Sequence, residues 1–247
     1  MKYLTKLTNN LIKNDITFNK LEKILYKYET FFDNTELELE LLKSNGYPIF
    51  ITNDKISLKT TQTKIEDQVF CIVDIEVSAP SVDKGQIIEI GAIRYKNGKI
   101  IEKYQTLVNA SFIPSKVQEI TSITLDMLEK APNLRSTLEE LRIFIDDDVI
   151  VAHNIDFDYK YISASFEQFN LGKLANRSLC TIKLSKKLFD TSKYGLKSLC
   201  EFFNITNSNH HRAYDDAYNT SIIFDYCLKK LPKDIRNVED LIKFSSS

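Results

Sequence analysis

Tryptophan is absent from this 247-residue chain, and glycine is scarce: six residues, at positions 46, 85, 91, 98, 172 and 195. Neither G-x-G-x-x-G nor a Walker-type loop can be written from glycines so spaced, which excludes nucleotide binding on a glycine-rich phosphate loop. The four cysteines, Cys71, Cys180, Cys200 and Cys227, form no C-x-x-C pair, and Cys71 and Cys200 fall inside apolar runs. They read as small buried thiols in a reducing compartment, not as a disulfide frame or a zinc site. No apolar run approaches membrane-spanning length, and the first ten residues lack the apolar core of a signal peptide, so the expected location is cytoplasmic. An excess of one charge is missing as well: 33 Lys plus Arg stand against 34 Asp plus Glu, for a net charge of −1. That balance removes the simplest sign of nucleic-acid binding, a strongly basic chain.

What is present is ordinary globular material, 43% apolar and 27% charged, with enough length for a full core. The polar stretch at residues 60–67 divides it into a small module, 1–66, a main domain, 67–231, and a short tail, 232–247. In the module, Leu21 to Tyr28 and Thr35 to Lys43 have helical periodicity, with Thr35 as the expected cap and Asn45-Gly46 as the stop. Pro48 to Thr52 and Lys55 to Lys59 read as strands around Asn53-Asp54. Helix, helix and hairpin resemble a winged-helix unit, a fold that often binds DNA or protein. The module's ten lysines and nine acids favour packing or partner docking over sequence reading.

The main domain opens with three strands, Phe70 to Val77, Ile87 to Tyr95 and Lys99 to Val108, the last two joined at Asn97-Gly98. A helix over Thr137 to Ile145, a strand over Val149 to Ala152, and helices over Phe157 to Phe169, Leu196 to Phe203 and Ala213 to Lys229 follow. This order predicts an α/β fold around a sheet of mixed strand directions.

Three acidic clusters interrupt that pattern. Asp74 and Glu76 stand at i and i+2 of an apolar strand, so both face one side. Paired carboxylates there resist desolvation unless a cation lies between them, and hard divalent cations prefer such oxygen ligands; a strand end reaching water is the simpler account. Asp156 and Asp158 follow the strand Val149 to Ala152 in His153-Asn154-Ile155-Asp156-Phe157-Asp158. A helix cap and a first-turn acid explain them structurally. The third cluster, His210-His211-Arg212-Ala213-Tyr214-Asp215-Asp216, holds two of the chain's three histidines. Imidazole, with an ordinary pKa near ~6.5, is the natural proton acceptor near neutrality.

In order and spacing, Asp-x-Glu, His-Asn-x-x-Phe-Asp and His-x-x-x-x-Asp together resemble the DEDDh group of DnaQ-like 3′–5′ exonucleases. The group includes replicase proofreading subunits and RNA-trimming enzymes. The resemblance runs over roughly residues 68–230 and takes in Gln86 to Ala92, Ile120 to Pro132 and Tyr194 to Leu199. It implies a ribonuclease-H-like mixed sheet with flanking helices, and two Mg²⁺ or Mn²⁺ ions held by Asp74, Glu76, Asp158 and Asp216. His211 matches the general base; His210 and Asp215 fall off the motif. Val77, Ser78, Asn154 and Phe157 occupy positions expected to contact the terminal nucleotide. After Glu76 the family usually continues Thr-Thr-Gly or Thr-Ser-Gly, whereas this chain has Val77-Ser78-Ala79, which predicts altered contacts there. Phe157, Phe166 and Tyr194 could stack on bases, although each fits an ordinary core position.

The implied activity is metal-dependent release of nucleoside monophosphates from single-stranded or frayed DNA 3′ ends, with a DNA polymerase as a candidate partner. RNA trimming and a catalytically weak replication-associated binding module are the alternatives.

Overall fold

In the computed structural model, which describes residues 3–28, 30, 34–206 and 211–246, the strand carrying Asp74 and Glu76 lies at the centre of a five-stranded sheet. The chain begins with α1 (Leu4–Leu11), β1 (Ile16–Thr17), α2 (Phe18–Leu25), α3 (Thr35–Ser44), β2 (Ile49–Thr52) and β3 (Lys55–Leu58). These strands pair antiparallel in the order β1-β3-β2, above a core of Leu7, Leu21, Leu39, Leu42 and Ile56. The helix expected at Leu21 to Tyr28 starts and ends three residues earlier. Asn34, not Thr35, caps α3: its Oδ1 accepts from the amides of Glu36 at 2.8 Å and Leu37 at 3.2 Å. Helix α1 and the two-residue β1 were not expected from periodicity.

A short helix, α4 (Lys59–Gln62), and a 3₁₀ turn at Ile65–Asp67 lead into the main sheet. There β4 (Phe70–Val77), β5 (Ile87–Lys96) and β6 (Lys99–Leu107) form an antiparallel meander. Then come α5 (Ser115–Thr121), α6 (Leu125–Glu129), α7 (Leu134–Ile145), β7 (Val149–Ala152), α8 (Ile155–Gln168), β8 (Ser178–Cys180), α9 (Thr181–Leu188), α10 (Leu196–Phe202), α11 (Ala213–Lys229) and α12 (Val238–Ser246). Strands β7 and β8 run parallel to β4, giving the order β6-β5-β4-β7-β8 and the mixed α/β sheet expected.

The two faces of β4 serve two cores. Cys71, Val73 and Ile75 pack with Leu138 and Leu141 of α7 and with Ile162 and Phe166 of α8. Phe70 and Ile72 pack with Leu184 of α9, Leu199 of α10, Phe224 of α11 and Leu241 of α12. Residues 232–247, taken from sequence as a short tail, therefore include a helix with Val238, Leu241 and Ile242 buried. Glu239 of that helix fastens the N-terminal unit: Thr60 Oγ1 donates to it at 2.7 Å, and Arg177 donates to it from Nε at 3.2 Å and from a second guanidinium nitrogen. Lys59 also pairs with Asp147, and Ala175 N donates to Asn45 O at 2.8 Å. All four cysteines are buried and free.

One missing side chain sets the position of α11. Gly91 on β5 pairs directly with Asp74 on β4, and a Cβ built there would lie 2.2 Å from Tyr214 N and 2.3 Å from the Ala213 carbonyl carbon. The start of α11 thus rests against the sheet backbone beside Asp74, and Asp216 comes with it. Gly91→Ala is expected to cost about 1–3 kcal/mol, a fall of roughly 3–10 °C in melting temperature, because backbone rather than a flexible side chain must give way. A melt matching wild type would show that α11 can retreat freely.

Candidate active site

Strand β4 directs Asp74 and Glu76 towards α11, the alternation expected for residues two apart. The bulge between Glu76 and Val77 ends the regular pairing just beyond them. Asp158 comes from the first turn of α8, which begins after a left-handed Asn154 (φ 79°) at the end of β7. Its carboxylate accepts from the Ile75 amide, between the two β4 acids. Asp216, in the first turn of α11, accepts from His211 N at 3.1 Å. Single ligand atoms of Glu76, His211 and Asp216 all lie within 4.8 Å of one another. The structure therefore brings together the five residues singled out from sequence, across more than 140 residues of chain.

Their electrostatics are those of buried carboxylates crowded together. Burial, followed by the charges of Asp158, Asp216, Glu76 and Glu89, holds the Asp74 carboxyl well above the usual range. Burial and then the charges of Asp216, Glu89 and Asp158 push Glu76 up to about 8, although Arg212 opposes this. Burial lifts Asp158 to about 7 against the backbone amides that favour its charge. The cation beside them is already committed. Arg212 donates to Glu89 from Nε at 3.2 and 3.1 Å and from Nη2 at 2.7 Å, while Ala213 N adds a bond at 3.0 Å. All-oxygen donors, crowded and short of positive charge, fit a hard divalent ion.

Glu89 is the functional residue that the sequence reading missed as such. It is fully buried on β5, directly opposite Glu76, and through Arg212 and Ala213 it anchors the start of α11. The signal was available: an acid inside Ile87-Ile88-Glu89-Ile90 is as anomalous as Asp74. His211 precedes this anchor in a left-handed conformation (φ 65°) with an exposed side chain, and His210 lies outside the described residues. Asp156 is not the helix cap: it is exposed in the first turn of α8 and pairs with Lys183 at 3.6 Å.

The candidate nucleotide contacts separate. Ser78 is buried, and its hydroxyl accepts from Gln86 N at 2.9 Å, so it holds the 78–86 loop together. Val77 is half-buried, whereas Asn154 and Phe157 are exposed at the start of α8. Phe157 is 37% exposed, with its ring 5.8 Å from that of Tyr161, and so departs from the core reading; Phe166 is fully buried and obeys it.

Residues 71–224 match the RNase_T family, described as Exonuclease. The chain belongs to that family. The DNA polymerase III epsilon subunit of Aquifex aeolicus (strain VF5) is 36% identical over 167 residues, covering 67% of this chain and 83% of that one. A PolC-type DNA polymerase III from Clostridium perfringens (strain 13 / Type A) is 34% identical over 205 residues, 81% of this chain but only 14% of the polymerase. Among solved structures, Exonuclease X in complex with 5′ overhanging duplex DNA aligns with a TM-score of 0.57 at 22% identity, covering 71% of this chain and 99% of that chain. E. coli Exonuclease I in complex with a dT13 oligonucleotide aligns at 0.59 and 16% identity, covering 66% and 41%. The exonuclease domain is thus a DnaQ-like 3′–5′ exonuclease with the fold expected of it. Its family is generally dependent on divalent metal, and the cluster of Glu76, His211 and Asp216 is suited to one. Among the described residues no helix is long and apolar enough to cross a membrane.

Proposed function

We propose that this exonuclease releases nucleoside monophosphates from the 3′ ends of single-stranded or frayed DNA, in proofreading or repair. The observation that carries the proposal is the convergence of Asp74, Glu76, Asp158 and Asp216 in one site, where burial and then neighbouring carboxylates raise Asp74 and Glu76 and burial raises Asp158. Two divalent ions, Mg²⁺ or Mn²⁺, would be held by those four carboxylates. Such ions make water nucleophilic near neutral pH and stabilise the departing oxygen of a phosphodiester.

The protein's own contributions follow from the geometry. Asp74, Glu76 and Asp216 define the side of the cleft next to His211, and Asp158 closes it from α8. His211, exposed within ligand distance of Glu76 and Asp216, takes the proton from the attacking water. Glu89 and Arg212 keep Asp216 and His211 in register with β4. Asn154 and Phe157 supply an exposed edge for the terminal nucleotide. Residues 1–66, whose helix–strand–helix–helix–hairpin order supports the winged-helix-like reading, we assign to packing or partner docking, with a DNA polymerase as the candidate partner.

The deciding experiment incubates the full chain with 5′-labelled single-stranded DNA and RNA in Mg²⁺, Mn²⁺ or chelator. Stepwise shortening from the 3′ end of DNA, faster than of RNA and abolished by chelator, is expected. Preference for RNA would reverse the substrate assignment, and shortening in chelator would sink the metal mechanism.

A further inference from the structure

Between Thr181 and Lys197 lie five lysines and one acid, Asp190, in a chain with a net charge of −1. Lys183, Lys186 and Lys187 are exposed along α9, Lys193 is exposed before α10, and Lys197 is exposed in its first turn. This basic band starts at the catalytic edge. Lys183 Nζ reaches Asp156, two residues before Asp158 on α8.

The other anchor is His153, at the end of β7. Its Nε2 lies 3.0 Å from Tyr194 O and its Nδ1 2.8 Å from Thr181 Oγ1. A carbonyl can only accept, so Nε2 carries the hydrogen and the Thr181 hydroxyl donates to Nδ1. Burial lowers this imidazole to about 4, so it stays neutral in that tautomer near neutral pH. One half-buried side chain thereby ties both the start of α9 and the loop at Tyr194 to the edge that presents Asn154 and Asp158.

Above this framework the ammonium groups lie over aromatic faces. Lys186 Nζ is 6.0 Å from the Tyr194 ring centroid, and Lys230 Nζ is 4.8 Å from that of Phe189. The Tyr194 hydroxyl donates to Phe189 O at 2.8 Å, which joins the two rings into one surface. Among the described residues, Lys186, Lys193, Lys197 and Lys230 form no ion pair. Point charges on flexible stems suit phosphates, which carry no sequence information.

The geometry points to a phosphate track. The lysine band of α9 and the Lys193–Lys197 segment binds backbone phosphates of the substrate strand upstream of its 3′-terminal nucleotide. The inference rests on the nuclease reading above and adds to it a sequence-independent grip outside the catalytic carboxylates.

The test is the triple variant Lys186→Gln, Lys193→Gln and Lys197→Gln in the full chain, with melting temperature as a check on folding. On a long single strand its KM should rise about tenfold with kcat unchanged, and its salt dependence should weaken by about 2 in log–log slope, at ~0.7 per lost phosphate contact. Hydrolysis of the p-nitrophenyl ester of thymidine 5′-monophosphate, which has no upstream phosphate, should be unchanged. The variant Lys13→Gln, Lys20→Gln and Lys55→Gln, of exposed lysines in the N-terminal unit, should match wild type on both substrates. A wild-type KM and salt slope in the first variant would overturn the track, as would an equal loss on the ester. If wild type cleaves neither substrate, the nuclease reading fails, and the track is still judged by fluorescence anisotropy of a labelled single strand in EDTA. Equal affinity of wild type and triple variant in that measurement would overturn it.

Discussion

Asp74→Asn should lower cleavage of single-stranded DNA by about 10³-fold or more and, at the same time, raise the melting temperature of the metal-free protein. The first effect follows from removing the ligand proposed to be central, since metal stabilisation of the transition state is worth several kcal/mol and each ~1.4 kcal/mol is a factor of ten. The second follows from the cluster itself: Asp74 is buried among Asp158, Asp216, Glu76 and Glu89. Replacing it with an uncharged isostere removes one member of a mutually repelling set. A gain of about 1 kcal/mol, or ~2–4 °C for a protein of this size, is the expected scale. The same cluster sets a pH dependence. Glu76 rises from 4.5 to about 8 and Asp158 from 3.8 to about 7 on folding, so the folded chain binds protons more tightly than the unfolded one. Their contribution to stability is fully present below about pH 4 and is lost as pH rises towards 8. Mg²⁺ or Mn²⁺ should raise the wild-type melting temperature most at the upper end of that window, and Asp74→Asn should blunt the response. Scanning fluorimetry of both proteins from pH 5 to 8, with metal and with chelator, measures the stability effects, and shortening of a 5′-labelled single strand measures the loss of cleavage. A variant that melts below wild type without metal, or keeps full turnover, would show that Asp74 is not where the repulsion and the chemistry meet.

His211→Ala should lose about 10²-fold or more in kcat, the lower end of what a positioned base supplies, and keep the metal-induced rise in melting temperature. Its side chain is exposed, so the substitution leaves a space open to solvent rather than a cavity in the core. Added imidazole should therefore restore part of the lost rate in His211→Ala and do nothing for Asp74→Asn. Its peptide amide, which bonds Asp216, survives the substitution, so the carboxylate keeps that anchor. Loss of the metal response in His211→Ala would recast the residue as a ligand; turnover at the wild-type rate would remove it from the mechanism.

What the sequence disclosed, and what it hid, divides along physical lines. Asp74 and Glu76 were legible because two acids interrupt an apolar β-rich run and because the other two clusters follow at the right order and spacing, and β4 spans Phe70–Val77 as that run predicts. Helix α11 runs from Ala213 to Lys229 as its periodicity requires. Helices α5 and α6, at seven and five residues, are too short to show a period, and β8 has only three residues. Helix α12 was taken for a tail although Val238, Leu241 and Ile242 stand at helical spacing, because nine residues near the chain end make a short pattern. Glu89 was visible as an acid in an apolar strand, but its role was not, because its partner, Arg212, lies 123 positions away, a distance no local pattern spans. Ser78 was placed among the nucleotide contacts by its position in the motif, and the bond its hydroxyl accepts from Gln86 N, within its own loop, could not be read from sequence.

The seat of α11 against Gly91 also orders events during folding. The meander of β4, β5 and β6 is contiguous and can pair early, whereas α11 docks only after a loop of more than 120 residues has closed, a slow step by topology. Asp216 and His211 arrive with that step and not before. A chain still being synthesised therefore carries Asp74 and Glu76 on a finished strand yet has no complete catalytic centre. The carboxylates and His211 stand together only once α11 is seated, so the site is completed by a contact between segments more than 120 residues apart.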